Sequence, residues 1–165
     1  MNRLKIADSI KGFTVLDDDP IEGVLERVVR SLTVPILVPV ETVVRKLSEH
    51  ERGISGCTDT GIALAEGDDL RDCAHELTLA LGVSRKGIRW RWTDGSLSPV
   101  DWPIHYVFLI LAPDVGTRLR SLREIAHIGL QTELGKALLE VRSLDEAART
   151  IRSFETPGVG GPGHG

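Results

Sequence analysis

Residues 61–69 read Gly-Ile-Ala-Leu-Ala-Glu-Gly-Asp-Asp, an apolar run that opens into a loop carrying Glu66, Asp68 and Asp69. Carboxylates at a strand end have three uses: attack on phosphorus, ligation of a hard cation through oxygen, or fixed charge offered to a partner. Attack on phosphorus is disfavoured here. Asp59, Asp68, Asp69 and Asp72 surround Glu66 in sequence with Arg71 as their single cation, so an incoming phosphate meets like charge. Ligation of Ca²⁺ or Mg²⁺ by Glu66, Asp68, Asp69 and Asp72 lacks EF-hand spacing, and a solvated acidic loop is the usual meaning of such a run. Neither a metal nor a cofactor is expected.

Other chemistry-bearing stretches are weaker. Residues 85–92, RKGIRWRW, interleave four basic residues with two tryptophans, a pattern able to stack single-stranded bases. An isolated strand edge with charges that discourage pairing explains it more simply. Cys73 and His75 are too few for zinc, and Ser55-Gly56-Cys57 has no base and acid nearby for a hydrolase triad.

The elements that must position these residues are legible. Asp17-Asp18-Asp19-Pro20 starts a helix carrying Ile21, Val24, Leu25, Val28, Val29 and Leu32 at helical spacing. Pro39 starts a second, with Val40, Val43, Val44 and Leu47 on one face and Gly53 at its end. Residues 54–60 read as loop and Gly61–Leu64 as a short buried strand. Leu77, Leu79, Leu81 and Val83 alternate with Thr78, Ala80 and Gly82 at strand period, and 88–92 suggests a further strand. His105–Leu111, HYVFLIL, is a central strand covered on both faces, against which Leu119, Leu122 and Ala126 are expected to pack. Three helices follow: one with Leu119, Leu122, Ile125 and Ala126, one with Leu134, Ala137 and Leu138, and one opened by the capping box Ser143-Leu-Asp-Glu146. The fold class is therefore α/β, a single domain over 1–155 with a sheet between helices, followed by a Gly/Pro-rich tail, 156–165, expected to be disordered.

Composition sets the bounds. The 165 residues, 41% hydrophobic and 27% charged, suit one globular domain. No apolar run approaches the ~20 residues of a membrane helix, and MNRLKIADSI lacks a secretory core, so a cytoplasmic protein with reduced Cys57 and Cys73 is expected. A net charge of −4 argues against a nucleic-acid partner.

The order of motifs resembles a known family. A helix into a Gly-rich loop, then "GIAL", "ELTLALGV", "HYVFLILAP" and "RLRSLREIAHIGLQTELGKALLEVRSLDEA" is similar to the enzyme IIA domain of the bacterial sugar phosphotransferase system, in its fructose, mannitol and nitrogen-regulatory class. The resemblance covers about residues 10–155 and implies one α/β domain with a mixed sheet. Members accept a phosphoryl group on histidine from the carrier HPr, pass it to a transporter's IIB domain, or act as regulators. Their acceptor lies in Gly-Ile-Ala-Ile-Pro-His-Gly, which aligns Glu66 with the phosphorylated histidine. A second family histidine aligns with Arg118, and a basic residue ahead of the Gly-rich loop aligns with His50 or Arg52 according to register.

The resemblance thus implies a IIA-like protein without its acceptor histidine, not an enzyme, that binds a transporter, a kinase or an HPr-like carrier. Its partner-binding candidates are Glu66, Asp68, Asp69, Arg118, Arg52, His50 and Asp59. Glu66 either imitates phosphohistidine by its charge or is a vestigial loop residue, and its carboxylate is expected to be accessible in a depression lined by Gly53–Thr60. The alternatives are an active phosphoryl carrier with another acceptor, and an acidic-loop metal or ligand sensor.

Overall fold

The run HYVFLIL forms β4 (Ile104–Leu111), antiparallel to β3 (Thr78–Ile88), and these two strands are the centre of the sheet. The computed structural model describes residues 4–155, so the expected tail lies outside the described residues. On the outside of β3 lies β1 (Ile10–Val15), and on the outside of β4 lies β2 (Ile62–Ala65), both in parallel pairing. The sheet is mixed, in the order β1-β3-β4-β2, and helices cover both faces.

Side-chain alternation along β4 explains the layers. Val107, Leu109 and Leu111 point to a core shared with Val24, Leu25 and Val28 of α1 (Ile21–Arg30) and Val43 and Leu47 of α2 (Val40–Gly53). Phe108 and Ile110 point the other way. They meet Ile125 of α3 (Val115–Gly129), Leu134 and Leu138 of α4 (Thr132–Leu139), and Ile151 of α5 (Leu144–Glu155). On β3 the period-2 pattern separates large from small side chains: Leu79, Leu81 and Val83 face α3–α5, while Ala80 lies in the core under α1. A Cβ on Gly82 would come within 2.9 Å of Val28, so bareness there lets α1 lie close.

Several expectations need correction. β1 was not foreseen, because Lys11-Gly12 breaks its alternation at a bulge between Ile10 and Gly12. Residues 88–92 are not an edge strand: β3 is interior and ends at Ile88, after which Trp90 and Trp92 are buried in the core shared with α1 and α2. Arg89 and Arg91 turn to Asp18, at 3.1 Å each. Asp18 and Asp19 consequently do not cap α1, whose start has no side-chain cap. Leu119 and Ala126 do not pack on the sheet. Leu119 is 55% exposed and Ala126 is exposed, while the inward stripe of α3 is Ser121, Leu122, Glu124, Ile125 and Ile128.

Helix ends follow local chemistry. Asp114 caps α3 by accepting from the Thr117 backbone N–H at 2.7 Å. At α5, Ser143 Oγ accepts from the Glu146 N–H at 3.1 Å, and Glu146 reaches back to the Arg142 N–H rather than to that of Ser143. Among the described residues no helix is long and apolar enough to cross a membrane.

Phe108 is fully buried beneath α3–α5. Phe108→Ala is expected to destabilise by about 3–5 kcal/mol, read as a lower denaturant midpoint at unchanged slope. The Thr117 backbone N–H, then its hydroxyl, holds the Asp114 carboxyl below its ordinary value. Because the unfolded chain binds that proton more readily, the contribution is full above the ordinary aspartate range and fades as pH falls through the lower native value. Asp114→Asn should cap nearly as well but remove this part of the acid dependence, as measured by melting temperature against pH.

Candidate functional site

Because β2 and β4 are parallel, with Ala65 beside Leu109, both strands deliver the chain to the same edge of the sheet. β2 leaves it as Glu66. β4 leaves it through Ala112-Pro113 into α3, whose first turn carries Arg118. The two side chains meet there: Arg118 Nη1 donates to Glu66 Oε1 at 2.6 Å, and each side chain is 22% exposed. The pair uses little of its capacity. Glu66 Oε2 has no protein donor among the described residues, and Arg118 Nε is buried without a partner.

Below this pair, His50 in the last turn of α2 reaches across Gly67. His50 Nε2 and Asp69 Oδ1 lie 2.5 Å apart, and Lys46 Nζ is 3.8 Å from the other carboxylate oxygen. Partial burial works against the Asp69 charge, but the hydrogen bond to His50 and the charges of His50 and Lys46 hold its carboxyl below the usual range. Gly67 has an extended backbone, so space rather than conformation requires glycine: any Cβ there would sit inside the imidazole.

A cleft of about 450 Å³ opens beside Glu66. Gly53, Ile54, Ser55 and Gly56 line it, as do His50, Glu51, Glu66 and Trp90, whereas Cys57–Thr60 do not. Glu51 builds this wall. Its carboxylate accepts from the Ser55 hydroxyl, from the Gly56 N–H at 3.0 Å and from Trp90 Nε1 at 2.9 Å, tying the loop after α2 to the chain after β3. Burial, with the Glu51 carboxylate nearby, outweighs a hydrogen bond with Ser55 and pushes the Cys57 thiol up to about 12. It is no nucleophile near neutral pH.

Of the residues singled out by sequence, Glu66, Arg118, His50 and Asp69 converge at this edge, and Asp68 lies exposed beside them, paired with Arg71 at 3.4 Å. Arg52 points elsewhere: its guanidinium lies 3.9 Å over the Trp92 ring and 3.0 Å from Asp94. Asp59 belongs to the exposed turn before β2, at the opposite end of that strand from Glu66. Glu51 was missed, and Trp90 was weighed only as a base-stacking or strand-edge residue. An acid in the last turn of a helix opposes the macrodipole, and that misfit was the available signal for Glu51.

No protein-family model matches the chain, and no curated protein does. Solved structures match in fold. The nitrogen regulatory protein IIA-Ntr from Neisseria meningitidis aligns with TM-score 0.69 and 18% identity over 88% of this chain and 98% of that one. The mannitol-specific cryptic phosphotransferase enzyme IIA CmtB from Escherichia coli aligns with TM-score 0.67 and 14% identity over 90% and 98%. The enzyme IIA in the complex of mannitol IIA with phosphorylated IIB, also from Escherichia coli, aligns with TM-score 0.64 and 12% identity over 87% and 95%. At such identities the likeness concerns architecture, and the conclusion is that this chain has the α/β fold of phosphotransferase system enzyme IIA domains.

Proposed function

We propose that this chain is a cytoplasmic, enzyme IIA-like regulatory module that works by binding a protein partner, with Glu66 standing where relatives carry a phosphorylatable histidine. The observation that carries the reading is the 2.6 Å pair of Glu66 with Arg118. A carboxylate held on a guanidinium offers no imidazole nitrogen, and its charge is already placed in a half-buried setting at the strand ends. The charge-mimic view takes this placement of charge at the strand ends as its basis, whereas on the vestigial view the pair only satisfies two sheltered groups. A transporter, a kinase or an HPr-like carrier fits as partner. The neighbouring structure of a IIA with phosphorylated IIB is a precedent for such a complex.

A second reading has one observation in its favour. His50 is the imidazole that lines the cleft, exposed and with Nε2 against Asp69, and in the neutral form that keeps its proton on Nε2 its Nδ1 has the lone pair an active phosphoryl carrier needs. The carboxylates of Glu49, Glu66, Asp68 and Asp69 oppose a phosphoryl dianion there, although Arg45, Arg118, Arg71 and Lys46 each offset one of them. The metal-sensor reading lacks support, since among the described residues no three His, Cys, Asp or Glu side chains converge to hold an ion.

Incubation with phosphoenolpyruvate, enzyme I and HPr, followed by intact mass at neutral pH, is expected to leave the mass unchanged. An acid-labile phosphoryl adduct abolished by His50→Gln would establish the carrier reading instead. Glu66→His alone is expected to take no phosphoryl group, because Asp68 and Asp69 remain beside it in the same loop, whereas neutralising both as well should permit slow uptake on the same mass assay.

A further inference from the structure

The cleft beside Glu66 combines apolar walls with a carboxylate lining, of which Glu66 is paired with Arg118 and Glu49 with Arg45 from outside the cleft. Leu25, Leu47, Ile54, Ala63, Ala65 and Trp90 supply surface for an aliphatic stem, and its volume of about 450 Å³ exceeds what a single long side chain needs. Its charged lining is Glu49, Glu51 and Glu66 with the imidazole of His50, and among the described residues no lysine or arginine lines it. The three carboxylates differ in what they have left to offer. Glu51 is committed to Ser55, Gly56 and Trp90, and Glu49 is exposed, 3.5 Å from Arg45. Glu66 alone is partly buried with an oxygen, Oε2, that has no protein donor among the described residues.

We propose that this cleft receives an arginine side chain from the protein partner, with its stem along the apolar walls and its guanidinium on Glu66. This rests on the reading of the face as protein-binding and names the chemistry that the partner must bring. An acidic occupant meets the three carboxylates in the lining before the arginines behind two of them. A purely apolar one leaves Glu66 half-satisfied as water is driven out of the cleft, which is costly for a charged group. An arginine completes the carboxylate with a planar fork while its methylenes cover Ile54, which stands 85% exposed at the rim.

The test uses the whole chain, labelled with nitrogen-15, and the capped peptide acetyl-Gly-Arg-Gly-amide, with citrulline and glutamate counterparts as uncharged and acidic controls. The arginine peptide is expected to give saturable shifts at the Trp90 indole N–H and the Ile54, Gly56 and Gly67 amides. Affinity should fall about tenfold for citrulline and for Glu66→Gln, the loss of one charge-assisted bond. Ile54→Ala, at a site too exposed to disturb folding, should weaken binding severalfold and keeps the test open if Glu66→Gln perturbs Arg118. Equal binding of the arginine and citrulline peptides overturns the proposal. So do shifts spread along the acidic surface with none at the Trp90 indole, or unchanged affinity in both variants. Absence of arginine-peptide binding also overturns the proposal, while it leaves the phosphorylation result, and with it the regulatory reading, standing. Conversely, a phosphoryl adduct would remove that reading without altering the titration.

Discussion

Burial of the antiparallel β3–β4 pair on both faces is the constraint from which the remaining structure follows. Side chains of β4 that alternate between two cores must find apolar cover on each side, or the strand would leave leucines and isoleucines in water at about 25 cal/mol per Å². α1 and α2 supply one cover, and α3, α4 and α5 the other. Small residues set the spacing: Ala80 and Gly82 let α1 approach, and the larger Leu79, Leu81 and Val83 fill the opposite layer. With both faces closed, openings remain at the strand ends, and the parallel outer pair β2–β4 brings two chain exits to the same end.

That edge is where charge is tolerated. Glu66 and Arg118 are each too sheltered to stand alone. An ion pair at 22% exposure is modest as net stabilisation, while loss of either member would leave the other poorly solvated. The same holds for His50 over Gly67, braced by Asp69 and Lys46. Glu51 acts differently, as an anchor that satisfies a hydroxyl, an amide and an indole at once and so fixes the cleft wall. Together these fix the shape of the edge in the free chain, and on the proposed protein-binding reading that limits the ordering entropy lost on binding.

How much was legible depended on whether a residue's environment is local. The helices of residues 21–30 and 40–53 were visible because apolar spacing and proline starts are short-range signals, and HYVFLIL was readable as a doubly covered strand because both of its alternating sets are apolar. β1 escaped, since a bulge at Lys11 erases the alternation and its stability comes from pairing with Leu79–Val83, almost seventy residues away. The inward stripe of α3 was misjudged by the same cause. Leucine at 119 suggested burial, yet Ser121 and Glu124 face the interior and Leu119 does not.

For the site, the sequence by itself determined which residue types stand at the strand end: Glu66 in the Gly-Ile-Ala-Leu-Ala-Glu-Gly run, with acids behind it and Arg118 after the central strand. Only the tertiary structure decided which of them meet. A salt bridge across 52 residues depends on strand order and direction, and the parallel β2–β4 pairing brings Arg118 to Glu66 while Trp92 and Asp94 draw Arg52 away. No local signal encodes that choice, because the energy of a charge is set by the burial and the counter-charges around it, and both are products of the packed fold.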